Sequence, residues 1–405
     1  MLEIRPILSA MWRTKSSALL LIVQIALTLA IVSNAAFIIT DRIDQMNRSS
    51  GTVEQELFSF ALFTFGKDAD RAQQLQQLEL DEAMLRALPG VKDAVATNQV
   101  PMSGSGSATQ YRTSADPDTS DMREAGAGIY QGDSHFLSTF GVTLVAGRNF
   151  REDEVVYGDE SAPSVLLVTQ ALADLLYPDG DALGQVIYAD RESPQTIIGI
   201  IERLQAPWVT SSQVERNVVL PQLALQSFQQ YVVRAEPSAL HGLMAQIEKQ
   251  MHALYLDRVV EEIRPFSETR TSAYANDRLM SNMLTVLIAL LLLITALGIV
   301  GMAFFNVNRR TRQIGTRRAL GASKGDIVRY FVVENTLTAC IGTGFGIGLS
   351  LVLNYLLISH YALPKLDYAF IAVSVLGIYL LGLLAVAFPA KRAADISPAI
   401  ATRSV

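Results

Sequence analysis

Four apolar runs divide the chain, Ala18 to Thr40, about Met283 to Phe305, about Val328 to Ile358 and about Ala369 to Phe388. Each is long enough, at about 1.5 Å per helical residue, to cross roughly 30 Å of hydrocarbon. Pro389 predicts the end of the fourth helix. Ser33-Asn34-Ala35 has the small-x-small form of a signal-peptide cleavage site, but Phe37, Ile38 and Ile39 prolong the run beyond it, so the first run is read as an uncleaved helix. Gln24 and Asn34 inside it are predicted to face other helices, which offer hydrogen-bond partners that lipid cannot.

The long interval between the first two runs, residues 41–280, has a globular pattern. Near its start, Ala69 to Leu88 reads as a helix stopped by Pro89-Gly90, and Val91 to Thr97 as a strand. Near its end come a strand at Tyr231 to Arg234, a helix at Pro237 to Tyr255 and a strand at Arg258 to Arg264. These similar units at opposite ends are expected to pair in space. The middle is richer in strands, with turns at Gly147-Arg148, Pro178-Asp179-Gly180 and Ser193-Pro194. Pro101 to Ser120, rich in Ser, Gly, Thr and Asp, predicts a mobile loop. Ser49 to Phe65 is more apolar than a linker, and packing on the domain, on a neighbouring subunit or near the membrane surface are all compatible with it.

Composition supports a part-membrane, part-globular chain: 50% of its 405 residues are hydrophobic, too many for an ordinary soluble protein of this length. The formal charge of -6 conceals a segregation. Residues 41–280 hold 19 basic and 34 acidic side chains, whereas 1–17, 306–329 and 389–405 together hold 13 basic and 3 acidic ones. Positive loops stay on the cytoplasmic side, so the pattern predicts both termini inside and the acidic domain outside. The single Cys340 excludes an intramolecular disulfide, and His135, His241, His252 and His360 show no metal-ligand spacing.

The stretch Asn308 to Gly325, NRRTRQIGTRRALGASKG, carries six basic residues and no acid. Thr311 to Leu320 reads as a short helix, Gly321 as its left-handed cap, and Ser323 with Asp326 as a capping box for the next helix. On charge alone, Arg309, Arg310, Arg312, Arg317 and Arg318 are equally compatible with orientation by lipid headgroups. The ordered motif Gln313 to Ser323, QIGTRRALGAS, resembles the cytoplasmic signature of FtsX/MacB-like ABC transporter permeases, of the type VII or mechanotransmission superfamily. The usual family acid before Ile-Gly is Gln313 here. Three stretches of the outer domain also resemble the MacB-like periplasmic domain: Val145 to Phe150, Ala171 to Val186 and Ile197 to Ile201. The ending, Pro389 to Arg403, resembles the family's Pro-containing tail.

The resemblance implies a fold class of four transmembrane helices with a large extracytoplasmic α+β domain. Its layout would be a cytoplasmic N-terminus (1–17), a first span (18–40) and a periplasmic domain (41–280), with porter-like parts near 41–115 and 215–280 around an inserted β-rich subdomain at 116–214. There follow spans at 283–305, 328–358 and 369–388, a coupling loop at 306–327, a short periplasmic loop at 359–368 and a cytoplasmic tail at 389–405. It also implies that an ATPase rests on the helix formed by Arg309, Arg310, Arg312, Gln313, Ile314, Arg317, Arg318, Ala319, Leu320, Gly321 and Ala322.

No Gly-x-x-x-x-Gly-Lys-Ser/Thr occurs in these 405 residues, so ATP and Mg are expected on separate ATPase subunits, two copies beside two permease chains, identical or paralogous. Catalysis by this chain is not expected, since Gly104-Ser105-Gly106 lies in a polar loop and not at a strand-to-helix turn. Gly342, Gly344, Gly346 and Gly348 form two overlapping Gly-x-x-x-Gly pairs that predict close helix packing. Glu334, near the cytoplasmic end of the third span, is placed to reach the interface or to pair with an arginine, which argues against a proton-relay role. The implied activity is ATP-driven motion of the outer domain for export from the periplasm of an inner membrane, with a periplasmic adaptor and outer-membrane duct as further partners. Two alternatives stay open: an FtsX-like regulator of a periplasmic partner, and a receptor or scaffold working without an ATPase and binding lipid through its arginines.

Overall fold

A computed structural model of the chain describes residues 15–64, 71–116, 118–158, 162–190, 193–225, 228–254, 258–361 and 365–396. The basic residues before position 15 and the tail after position 396 lie outside them. The chain forms two compact units, one of residues 1–46 with 277–405 and one of residues 47–276.

Helix α1 (Lys15–Met46) leads into the second unit. There β1 (Leu57–Thr64), α2 (Arg71–Ala87) and β2 (Val91–Thr97) make one unit, and β11 (Phe228–Ala235), α5 (Leu240–Leu254) and β12 (Arg258–Pro265) make its counterpart. The two interleave in one antiparallel-paired sheet of order β12-β1-β11-β2, the arrangement of a ferredoxin-like βαββαβ fold. The apolar stretch before Phe65 is therefore neither linker nor membrane contact. Leu57 to Leu62 are buried on both faces of a central strand, which is why they run without the alternation that marks a half-exposed strand.

Beneath the helices, Arg258 is fully buried and meets Asp81 at 2.5 Å, while the Tyr231 hydroxyl donates to the other Asp81 oxygen at 2.9 Å. Burial pushes the Asp81 carboxyl up, and the Arg258 guanidinium and the Tyr231 hydrogen bond act against it. The neighbouring Glu82 accepts the Ala96 amide at 2.9 Å. Its carboxyl is pushed up to about 8, first by burial and then by Asp133, against the pull of Arg86. The folded domain thus keeps a proton that the unfolded chain releases near the ordinary value of 4.5. Stability from this group is complete below that pH and is lost as pH rises through 8. Glu82→Gln should flatten that dependence, which can reach about 1.4 kcal/mol per pH unit. The variant should match the parent Tm near pH 5 and exceed it at pH 8, as thermal melts at the two pH values would read.

Between β2 and β11 the chain builds a second sheet from β3 (Ala108–Arg112), β4 (Glu124–Gly132), β5 (Leu144–Gly147), β6 (Val156–Tyr157), β7 (Val165–Thr169), β8 (Val186–Tyr188), β9 (Pro194–Ile201) and β10 (Asn217–Leu223). Helix α3 (Phe136–Phe140) follows β4, and α4 (Gln170–Leu176) follows β7. The strand order is β4-β3-β8-β9-β7-β10-β6, and β10 also pairs in parallel with β4 (Asn217–Pro221 against Gly128–Gly132), so the sheet closes on itself. Two expectations need correction. Part of Pro101 to Ser120 is strand β3, paired along its length with β4, and the β-rich subdomain reaches past 116–214 at both ends to include β3 and β10. The two sheets share a core in which Leu57, Val95 and Val232 meet Tyr130, Phe136, Phe140 and Phe266. Helix α6 (Phe266–Ala273) then leads out of the domain.

The other unit contains α1 with α7 (Ala275–Arg309), α8 (Thr311–Ala319), α9 (Lys324–Tyr361) and α10 (Tyr368–Ala394). Helices α1, α7, α9 and α10 are long and apolar enough to span a membrane. Pro389 does not stop α10, which continues to Ala394, because neighbouring helices tolerate the missing amide. Helix α1 is glued by its polar side chains: Gln24 donates to the Ile294 carbonyl at 2.9 Å, Thr28 bonds Thr295 at 2.8 Å, and Ser33 and Asn34 both bond Ser350.

The four glycines of α9 divide into two pairs. A Cβ on Gly342 would come within 2.8 Å of Ile25, and one on Gly346 within 2.9 Å of Leu29, but Gly344 and Gly348 face open space. Within this chain, the first pair packs against α1 and the second meets none of the described residues. Gly346→Leu should wedge α9 from α1 and cost about 1–3 kcal/mol. Gly348→Leu should leave the melting of the detergent-solubilised protein within error.

Candidate functional site

Helix α8 is a short bracket between α7 and α9. Its N-terminus is set by Arg310, whose guanidinium bonds Glu334 at 2.9 Å and the Tyr330 hydroxyl at 3.0 Å. Both charged side chains are about nine-tenths buried, at 12% and 10% exposure, where a charge is stable only if paired. Nearly two turns into α9, the Tyr330 ring lies under two cations, Arg317 at 5.1 Å and Arg310 at 5.9 Å. Ile314 and Gly315 are buried, and Ile314 belongs to the same core as Ile327, Phe331, Ala390 and Ala393. The buried side of α8 thus follows Arg310, Ile314 and the half-buried Arg318, one residue per helical turn.

The far end is tied down with equal care. Arg318 donates to the Ala322 carbonyl at 3.0 Å, and Ala322 donates its amide to Arg317 at 3.0 Å. Gly321 takes a φ of +98°, the left-handed conformation in which glycine carries no Cβ penalty. Ser323 and Asp326 form the reciprocal capping box: the Ser323 amide donates to Asp326 at 2.9 Å and the Asp326 amide to Ser323 at 3.1 Å. Lys324 joins Asp395, just past α10, at 2.6 Å.

What remains is an outward face of Arg309, Arg312, Gln313, Arg317, Ala319, Leu320 and Gly321, all exposed, with Ala322 half-buried. Leu320 is 84% exposed, an apolar side chain standing alone in a basic surround. The arrangement divides the residues singled out in the sequence. Arg310, Ile314 and Arg318 hold the helix in place, Arg317 lies over the Tyr330 ring while staying exposed, and the other exposed residues face outward. The tie from Glu334 to an arginine was legible from its position near the helix end. The Tyr330 ring was not, although it sits four residues before Glu334 on the same helical face.

Helix α8 is thus fixed at both ends and presents an exposed basic face with one exposed leucine. The MacB-like periplasmic core domain model matches residues 18–252, and the FtsX-like permease C-terminal model matches residues 285–398, which include α8. The chain belongs to the FtsX/MacB-like ABC transporter permeases. Among its curated relatives, the macrolide export ATP-binding/permease protein MacB of Neisseria gonorrhoeae is 24% identical over 344 residues, 81% of this chain and 49% of the relative. The pyoverdine export ATP-binding/permease protein PvdT of Pseudomonas fluorescens is 28% identical over 287 residues, 67% of this chain and 42% of the relative. This permease thus spans about half the length of the relatives it matches. The periplasmic region of MacB from Actinobacillus actinomycetemcomitans aligns with 56% of this permease and 97% of that chain at 13% identity and a TM-score of 0.32. The permease joins four apolar helices to a periplasmic-type domain, which suggests an inner membrane with that domain in the periplasm.

Proposed function

We propose that this chain is the membrane subunit of an ABC system, that a separate ATPase subunit docks on the outward face of α8, and that ATP-driven motion of that subunit reaches the periplasmic domain. The observation that carries the reading is the exposed Leu320 on a helix whose other side is locked to α9 and α10. A rigid handle transmits displacement, whereas a helix serving only to hold lipid headgroups has no need of a buried Arg310–Glu334 tie. The basic segments support a cytoplasmic side for α8 and both termini, since positive loops are retained there. ATP and Mg would be bound by the partner. Two ATPases and two permease chains would form the working assembly, with rigid-body tilting as the coupling step. Export of a substrate from the periplasm, through an adaptor and an outer-membrane duct, is the activity that fits such motion.

Gentle solubilisation from native membranes and identification of the co-purifying proteins tests this. A P-loop ATPase present with the chain supports the reading. A chain that emerges alone, under conditions that keep a known ABC complex intact, overturns it.

A further inference from the structure

Among the described residues, Met102 and Glu262 are the two non-glycine residues with left-handed backbone, at φ +64° and +56°. They line the same cleft in the unit of residues 47–276, a cavity of about 380 Å³, which falls in the range of small-molecule sites, about 300–1,000 Å³. Backbone strain persists where the surroundings impose it, and it gathers at ligand sites.

One wall is the part of the four-stranded sheet that the shared core leaves uncovered. Ser59, Gln230, Glu262 and Arg264 lie on it. The register of β1 against β12 shifts between Ser59, opposite Arg264, and Ala61, opposite Glu261. Glu262 and Ile263 therefore stand against Phe60 alone, a β-bulge of the kind that re-aims a side chain. Both Glu262 and Arg264 are exposed, and their side chains make no ion pair among the described residues.

The opposite wall is preformed: it rests on the buried Val100, Met102 and Pro207, and Trp208 is a partly exposed apolar side chain on it, beside the polar Ser103 and Thr210. Its two loops are stapled by backbone bonds from Met102 to the Ala206 carbonyl at 3.3 Å and from Gly104 to the Pro207 carbonyl at 3.0 Å. Thr269 and Ser272 of α6 close one end.

We propose that this cleft binds a short zwitterionic peptide carrying an apolar side chain. Glu262 would take the amino terminus, Arg264 the carboxylate, and the Met102–Trp208 wall the side chain. Two strand residues spaced as 262 and 264 stand about 6.6 Å apart, and an extended dipeptide spans about 7 Å, so charge and length agree. The inference goes beyond the coupling reading and holds whether or not an ATPase is recruited.

The test uses the full chain in detergent with Trp12→Phe, which leaves Trp208 as its single tryptophan. Leucyl-leucine, its N-acetyl form and its C-terminal amide are titrated while Trp208 emission is followed. Equilibrium dialysis with labelled leucyl-leucine counts occupancy should emission stay silent. Saturable binding of leucyl-leucine is expected. Arg264→Gln should weaken it about fivefold and leave the amide unaffected, and Glu262→Gln should weaken it about fivefold and leave the N-acetyl form unaffected, the scale of an exposed charge pair. No saturable binding through the millimolar range by either method, equal affinity for the three forms, or parent-like binding by both variants would overturn the proposal.

Discussion

Replacing Leu320 by Asp is expected to abolish co-purification of an ATPase with this chain while leaving the chain folded. The side chain is 84% exposed and touches nothing whose loss would disturb α8, so folding has no stake in it. As an apolar anchor in a docking surface it would be worth about 2 kcal/mol or more, close to thirtyfold in affinity, and a carboxylate in its place adds a desolvation cost. Ile314→Asp provides the contrast. Ile314 is 5% exposed inside the core of the helical unit, and a carboxylate there disrupts α8 itself. The first variant should keep the parent melting curve and lose the partner, and the second should lose both. Parent-like association of Leu320→Asp in a pull-down would rule out the proposed face.

The largest effect on stability is expected at Arg258. Arg258→Leu leaves Asp81 buried without its cation beside the Tyr231 hydroxyl, and breaking such a pair costs about 3–5 kcal/mol. For a domain of this size that corresponds to a Tm lower by about 10 °C. Adding Asp81→Asn removes the stranded charge and keeps an acceptor for Tyr231, so the double variant should recover much of the loss. A double-mutant cycle read by thermal melts separates the two terms. A single variant that melts within a degree or so of the parent would show that the pair contributes nothing net.

Much of the fold was legible before any coordinates, and particular residues show why. The membrane helices are written in long runs whose length alone sets their type. The capping box of Ser323 and Asp326 and the left-handed Gly321 are local devices, decided within a few residues, and both read correctly from spacing. The repeated helix-then-strand order at the two ends of the domain was visible. Strand β1 was not, since Leu57 to Leu62 are buried on both faces and carry no period. Strand β3 was hidden in a polar, glycine-rich stretch, where pairing with β4 overrides weak local preference.

The sequence by itself determined which segments can enter a membrane, which side of each loop is basic, and that α8 would be a short capped helix with the family's motif. These depend on local composition and on chemistry within a turn or two. The tertiary structure decided which side of that helix faces inward, that Arg310 is held by Glu334 and Tyr330, and that one glycine pair of α9 packs while the other stays open. It also decided that Met102 and Glu262 share a cleft although 160 positions separate them in the chain. Each of these depends on what lies opposite, and contacts between distant segments are set by the packing of whole elements and leave no local mark on the chain.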